Sequence, residues 1–253
     1  MGELDVTVEG RVARVVLNRP GVLNALSPSL LTELIARCGE LAHDESVQVV
    51  VIRGANGSFS AGADLPAFLS ALTGSDAETI ADLGRRAALA VVELPQVTLA
   101  AIDGHCIGGG VVLAGACDLR ITSDRARFLV PELDAGIPLA WGGTEALVRL
   151  IGETVAADWI LSCREVGPEE ALRAGFVSRV VPADALRDEL DALVETLARK
   201  PQRVLRVTKR QLNAVRAGTF DAREDAAALL ATLRDPEALE TGQQYLAKTI
   251  RKG

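Results

Sequence analysis

The chain has 253 residues, 49% of them hydrophobic and only 3% aromatic. One large domain, or a domain with a helical appendage, can be built from such a chain, on a core of Ala, Val and Leu. A formal net charge of −7 excludes a general nucleic-acid or membrane-surface binder, which needs a basic face, yet leaves room for a small anionic ligand on a local basic patch.

Cys38, Cys106, Cys117 and Cys163 are widely spaced, and with His43 and His105 they form no metal-ligand pattern. They read as small buried hydrophobes in a reducing compartment, with no metal and no cofactor expected. The first residues are acidic and lack an apolar leader, and no apolar run reaches bilayer length. The expectation is a cytoplasmic protein.

Residues 4–17 alternate, with Leu4, Val6 and Val8 before Glu9-Gly10 and Val12, Val15 and Leu17 after it. This reads as a hairpin. Ser27 is an N-cap and Pro28 a good first helical residue; Leu30, Leu31, Leu34, Ile35, Cys38 and Leu41 then recur at helical spacing. Residues 47–52 form an almost continuous apolar run, as in a strand buried on both faces. Turn residues 53–58 follow, then Ser60-Ala61-Gly62-Ala63-Asp64, whose small side chains leave the backbone open to a ligand. Residues 66–72 read as a short helix, 73–76 as a polar mobile linker, and 77–94 as a helix stopped by Pro95.

Residues 97–102 are an apolar strand broken by Asp103-Gly104, and Gly108-Gly109-Gly110 precede an apolar run, 111–117, that can turn helical. The first N–H groups of a helix lack internal partners and carry the positive end of its dipole. Glycines there allow close approach, so the stretch can hold a negative oxygen; equally, they let a helix pack tightly on a strand.

Strands follow at 118–123 and 127–130, then a turn with Glu132 and Asp134. Helices begin at caps Thr144 and Thr154 and at Gly167-Pro168, the last ending at Gly175, and a strand covers 177–181. From Ala183 the pattern is helical, broken at Pro201, Gly218 and Pro236. The predicted organisation is a core over 1–182, made of loosely recurring strand-strand-helix turns, and a helical segment over 183–253. A spiral of similar turns fits this recurrence better than a doubly wound open sheet.

Common site motifs fail. Gly108 and Gly110 offer two glycines of a dinucleotide fingerprint, but Leu113 stands where the third belongs. Gly57 and Gly62 have P-loop spacing, but Ala63-Asp64 follow instead of Lys and Ser/Thr. There is no G-x-S-x-G elbow and no H-E-x-x-H. What remains is two small-residue loops, around Ala63 and Gly109, and the carboxylate of Glu132. Paired backbone donors suit an oxygen that becomes negative, each worth roughly 2.7–4 kcal/mol of barrier. A carboxylate near the adjacent carbon can move a proton, worth about 10²–10⁴-fold. Together they fit enolate chemistry on a thioester.

The chain resembles the enoyl-CoA hydratase/isomerase (crotonase) family. The residues that carry this are N-R-P at 18–20, N-A-L at 24–26, S-A-G-A-D-L at 60–65, D-G-H-C-I-G-G-G at 103–110, C-D-L-R at 117–120, P-E-L at 131–133, G-G-T at 142–144 and G-P-E-E-A-L-R-A-G-F-V at 167–177. The resemblance implies an α/β fold, a crotonase-like spiral of β-β-α turns with a C-terminal helical segment serving oligomerisation and as an active-site lid. It implies a homotrimer or homohexamer acting on an acyl-CoA substrate in fatty-acid metabolism, with coenzyme A entering only as part of that substrate. The amides of Ala63 and Gly109 would form the oxyanion hole and Glu132 would be the acid/base. Leu23, Asn24 and Ala25, with Ala61, Asp64 and Leu65, would line the CoA moiety, and Trp141 would wall the acyl pocket or belong to the core.

One departure matters. Hydratases of the family carry a second glutamate where this chain has Val112. Syn hydration needs water between two carboxyl groups, whereas one carboxylate suffices to carry a proton from the α- to the γ-carbon, so the resemblance favours Δ3,Δ2-enoyl-CoA isomerisation. The aspartate that dienoyl-CoA isomerases add falls at Ala140. The alternatives are an acyl-CoA-binding relative with reduced catalysis, or another superfamily reaction such as thioester hydrolysis or decarboxylation. Asp134, Asp64, Glu145, Asp118 and His105 read as turn, cap or structural residues. Arg19, Lys209, Lys248, Arg251 and Lys252 could meet CoA phosphates, although exposed basic residues are mostly solvated surface.

Overall fold

Alternation along the first seventeen residues produces β1 (Leu4–Glu9) and β2 (Val12–Leu17), paired antiparallel with Leu4 opposite Leu17 and Val6 opposite Val15. These elements belong to a computed structural model that describes residues 2–73 and 76–250. Gly10 turns the hairpin at φ +58°. Ser27 caps α1 (Pro28–His43), its hydroxyl accepting from Leu30 N–H at 3.0 Å. β3 (Val49–Gly54) follows, then α2 (Leu65–Ala71), α3 (Ala77–Val92) and β4 (Val97–Ile102). β5 (His105–Ile107) leads into α4 (Gly109–Ala116), whose eight residues are all buried, and then into β6 (Leu119–Ser123) and β7 (Arg127–Leu129). Helices α5 (Gly143–Ile151), α6 (Glu153–Ser162) and α7 (Pro168–Arg173) precede β8 (Arg179–Val181). The chain continues through α8 (Leu186–Ala198), α9 (Gln202–Arg216), α10 (Asp225–Thr232) and α11 (Pro236–Ile250).

The main sheet has the order β1-β2-β3-β4-β6-β8 and is parallel after the first hairpin. The order advances steadily along the chain, so this is not the doubly wound arrangement, whose strand order reverses at a switch point. A second, narrow ladder joins β5 to β7 and is extended by bridges Ser60–Cys106 and Phe128–Val166, with Leu26–Ala63 beside it. Successive turns thus add a strand to the large sheet, a stub to the narrow ladder and a helix. This is the predicted spiral.

Side-chain alternation divides the core. Val50, Ile52, Ala100 and Ile102 face the main cluster, which also holds buried apolar residues of α1, α3 and α4, among them Leu34, Val91 and Leu113. Val49, Val51, Val97, Leu99 and Ala101 face the other way and pack against Leu190 and Val194 of α8. The first part of the predicted helical segment therefore covers the sheet directly, while Leu229, Leu230 and Leu233 near the end are more than half exposed. The four cysteines are free and buried. Burial pushes the Cys38 and Cys117 thiols up to about 12 and Cys106 higher still.

Several predicted boundaries move. α5 starts at Gly143 with Gly142 at φ +75° before it, and Thr144 lies inside the helix with its hydroxyl toward Leu139 O. Thr154 likewise lies inside α6, which starts after Gly152. The strand expected from residue 177 begins at Arg179, because Phe176 and Val177 N–H groups are drawn to Ala171 O at the end of α7. Gly74 and Ser75 of the expected mobile linker lie outside the described residues.

Candidate active site

Two loops from different turns of the spiral meet at the narrow ladder. In the first, Ala61 N–H donates to Leu23 O at 2.9 Å, Gly62 N–H to Ser60 Oγ at 3.1 Å and Asp64 N–H to Leu26 O at 3.0 Å. Ala63 N–H, between them, donates to no group among the described residues. In the second, Gly108 N–H donates to Leu129 O at 2.8 Å, and Gly108 O accepts from Val111 and Val112 as α4 begins. Gly109 N–H, at the first helical position, is also without an acceptor among the described residues. The loops touch at Gly62, whose φ is +88°; a Cβ there would stand 2.8 Å from Ile107 O and 3.5 Å from Gly109 N. Glycine is required on both counts.

Glu132 lies in a tight turn closed by Ala135 N–H to Pro131 O and by Ile137 N–H to Glu132 O. Its carboxyl reaches back to the second loop: a Cβ on Gly108 would stand 2.6 Å from Glu132 Oε1. Oε2 is buried without a hydrogen-bond partner among the described residues. Burial raises the Glu132 pKa above the ordinary glutamate value, its own backbone N–H opposing the shift. Removing an unpaired carboxylate from water disfavours its charged form.

Ala63, Gly109 and Glu132 line one cavity of about 290 Å³, together with Leu65, Val112 and Trp141. Glu132 is the only ionisable side chain on its wall among the described residues. Trp141 has φ +60°, a left-handed conformation uncommon for a bulky residue. Its ring lies against Gly109 and against Gly84 of α3, and 5.6 Å between centroids from Phe68.

The other predicted ligand-facing residues are not on that wall. Leu23 is 44% exposed and left-handed at φ +51°, and Ala25 is buried with its carbonyl accepting from Arg19 Nη1. Ala61 is half-buried. Asp64 accepts from Ala67 N–H, capping α2, and from Arg19 at 2.9 Å; these bonds hold its carboxyl below the ordinary range. Asn24, expected to line a ligand, is a buried strut donating to Ala55 O and Ser58 O.

The basic residues considered for phosphate contact need correction. Arg19 is occupied by Glu3 at 2.7 Å and Asp64 at 2.9 Å. Lys209 is not on the surface: it is buried, 2.8 Å from Asp118. Lys248 is exposed on α11, and Arg251 and Lys252 lie outside the described residues. Asp134 and Glu145 are exposed, and His105 is half-buried on β5.

Sequence reasoning quoted Arg120 within C-D-L-R but gave it no role; it is a buried strut donating to the carbonyl of Cys117, at the end of α4, and to that of Phe176. Sequence reasoning missed Gly84, whose signal was a glycine in mid-helix. Among the described residues no cluster of His, Cys, Asp and Glu could hold a metal, and no helix is long and apolar enough to cross a membrane.

Two free amides beside a carboxyl of raised pKa, in an apolar cavity, can hold an oxygen that gains charge and move a proton on a neighbouring atom. Comparisons with known proteins give the family. The family model for enoyl-CoA hydratase/isomerase matches residues 7–246. A Mycobacterium bovis protein named "Probable enoyl-CoA hydratase" is 38% identical over 203 residues, 80% of this chain and 78% of that one. The short-chain-enoyl-CoA hydratase of Clostridium acetobutylicum is 34% identical over 206 residues, 81% of this chain and 78% of that one. A Thermobifida fusca structure in complex with acetoacetyl-CoA superposes at TM-score 0.82 with 32% identity, covering 91% of this chain and 94% of that one.

Proposed function

The chain belongs to the enoyl-CoA hydratase/isomerase family, and from that premise we propose that it isomerises the double bond of an enoyl-CoA through a thioester enolate. The thioester oxygen takes the N–H groups of Ala63 and Gly109. Glu132, ionised, removes a proton from the α-carbon of a 3-enoyl thioester. The electron pair moves onto the carbonyl oxygen, where the two amides stabilise it. The enolate then collapses, the double bond shifts to the α,β position, and Glu132 returns the proton to the γ-carbon.

One observation carries this reading: among the described residues Glu132 is the lone ionisable group on the cavity wall, with Val112 contributing only methyl groups. A raised pKa suits the task, since a proton shuttle works best with a pKa nearer the operating pH. Leu23 and Leu65, each more than two-fifths exposed, with the backbone of Ala25 and Ala61, would border the pantetheine path. Asp64 would support that path through Arg19. The exposed leucines of α10 and α11 favour association into a trimer or hexamer.

Hydration is the second reading, favoured by the hydratase names of the relatives. The test supplies 3-enoyl-CoA and 2-enoyl-CoA separately and follows double-bond position and mass. Isomerisation moves the double bond at constant mass, and Glu132→Gln slows it by about 10²–10⁴-fold. A product heavier by one water, formed faster than the isomer, selects the second reading. Tight CoA binding without proton exchange at the α-carbon would instead mark a relative that has lost catalysis.

A further inference from the structure

Trp141 stands between two cavities. On one side is the 290 Å³ cavity that holds Ala63, Gly109 and Glu132. On the other is a space of about 440 Å³ between α3, α4, α5 and α9. Trp141 and Val112 line both. The far space is lined by apolar surface from Ala88, Leu89, Val92 and Ala116 and by charged side chains of both signs, Glu93, Glu145 and Arg149 among them.

The ring is held in place from several sides. A Cβ on Gly84 or on Gly109 would fall within it, so two helices leave a slot that the indole fills. Phe68 packs on it at a tilt of 43°. The backbone adopts φ +60° at Trp141 and φ +75° at Gly142 to deliver the ring there. A left-handed backbone is costly for a bulky residue, so packing must sustain it. The cavity left on the Glu132 side is at the low end of the roughly 300–1,000 Å³ typical of ligand pockets.

We propose that Trp141 is the specificity-determining wall of the acyl pocket, confining the acyl group to short chains by closing the passage to the second cavity. This inference rests on the reading that the cavity takes an acyl-CoA. Removing the indole joins the two spaces, and a longer chain then runs past Gly109 along the apolar surface of α3 and α4.

The test measures kcat/KM for enoyl-CoAs from four to twelve carbons, and calorimetric binding of the saturated analogues. It uses the full chain, Trp141→Ala and Trp141→Gly. Glycine relieves the left-handed strain at position 141, and thermal melting checks that each variant compared is folded. In the wild type, kcat/KM falls at least about tenfold from four to ten carbons, the scale set by steric exclusion of methylenes. In both variants the long-to-short ratio rises at least about tenfold, in binding as in turnover. An unchanged ratio in a folded variant overturns the wall while leaving acyl-CoA chemistry in place. Failure of the wild type to bind any acyl-CoA overturns the underlying reading, and the wall with it.

Discussion

Lys209, on α9, places its ammonium 2.8 Å from the Asp118 carboxylate and 2.7 Å from the carbonyl of Gln96. Lys209 is buried at 4% exposure, and Asp118 is largely covered at 12%. Asp118 also accepts from Thr98 N–H at 2.8 Å and from its hydroxyl at 3.0 Å. A late helix is thereby tied to the start of β4 and to the exit of α4, the helix whose first residue is Gly109 of the site.

Breaking that tie should cost stability. Lys209→Met leaves the Asp118 charge inside without its main partner, and Asp118→Asn leaves the ammonium. Each is expected to lower unfolding free energy by about 3–5 kcal/mol, as for other buried pairs broken on one side. The double variant should lose less than the sum, and denaturant unfolding of all four proteins gives the coupling. Additive losses would mean that the contact contributes nothing of its own.

Glu132→Gln separates stability from activity. The raised pKa means that the folded state holds the Glu132 proton more tightly than the unfolded chain does. Its contribution to stability is full below the unfolded pKa of about 4.3 and is lost as pH rises through the folded value. At neutral pH the carboxylate is therefore a burden, and glutamine should melt higher. That advantage should vanish below about pH 4. Turnover should fall by about 10²–10⁴-fold.

The same displacement sets the pH profile. A base must be ionised to take a proton, so kcat/KM for isomerisation should rise with pH on a limb centred above the ordinary glutamate range. A limb at the unperturbed value would show that the carboxyl is solvated in the working enzyme.

Gly84→Ala should destabilise the protein, by about 1–3 kcal/mol for overpacking, because its methyl would enter the Trp141 ring. Adding Trp141→Ala empties the slot, so alanine at position 84 should then be nearly neutral. A thermal-melt cycle checks this, and equal costs in both backgrounds would show that the indole does not occupy the slot.

Much of this architecture was legible in the chain. Period-two alternation marked β1 and β2, and the unbroken apolar run marked a strand buried on both faces. Ser27 announced a helix start, because such signals act through a residue's own backbone and nearest neighbours. The family motifs pointed to Ala63, Gly109 and Glu132 because spacing within a loop is a local property. Other features could not be read that way. Thr144 and Thr154 resemble caps, yet Gly142 and Gly152, both at positive φ, start those helices. Lys209 looked like surface until α9 packed against the sheet.

The sequence by itself determined every strand but the short β5, most helix starts, the loops of small residues and the candidate acid. These follow from backbone sterics and hydrophobic period, which act over a few residues. Only the tertiary structure decided that the loops at 62 and 109 touch, that Asp118 holds Lys209, and that Trp141 turns left-handed into a slot between two glycines. Those facts depend on packing between segments far apart in the chain, where close contact at interior density, not local preference, selects the conformation.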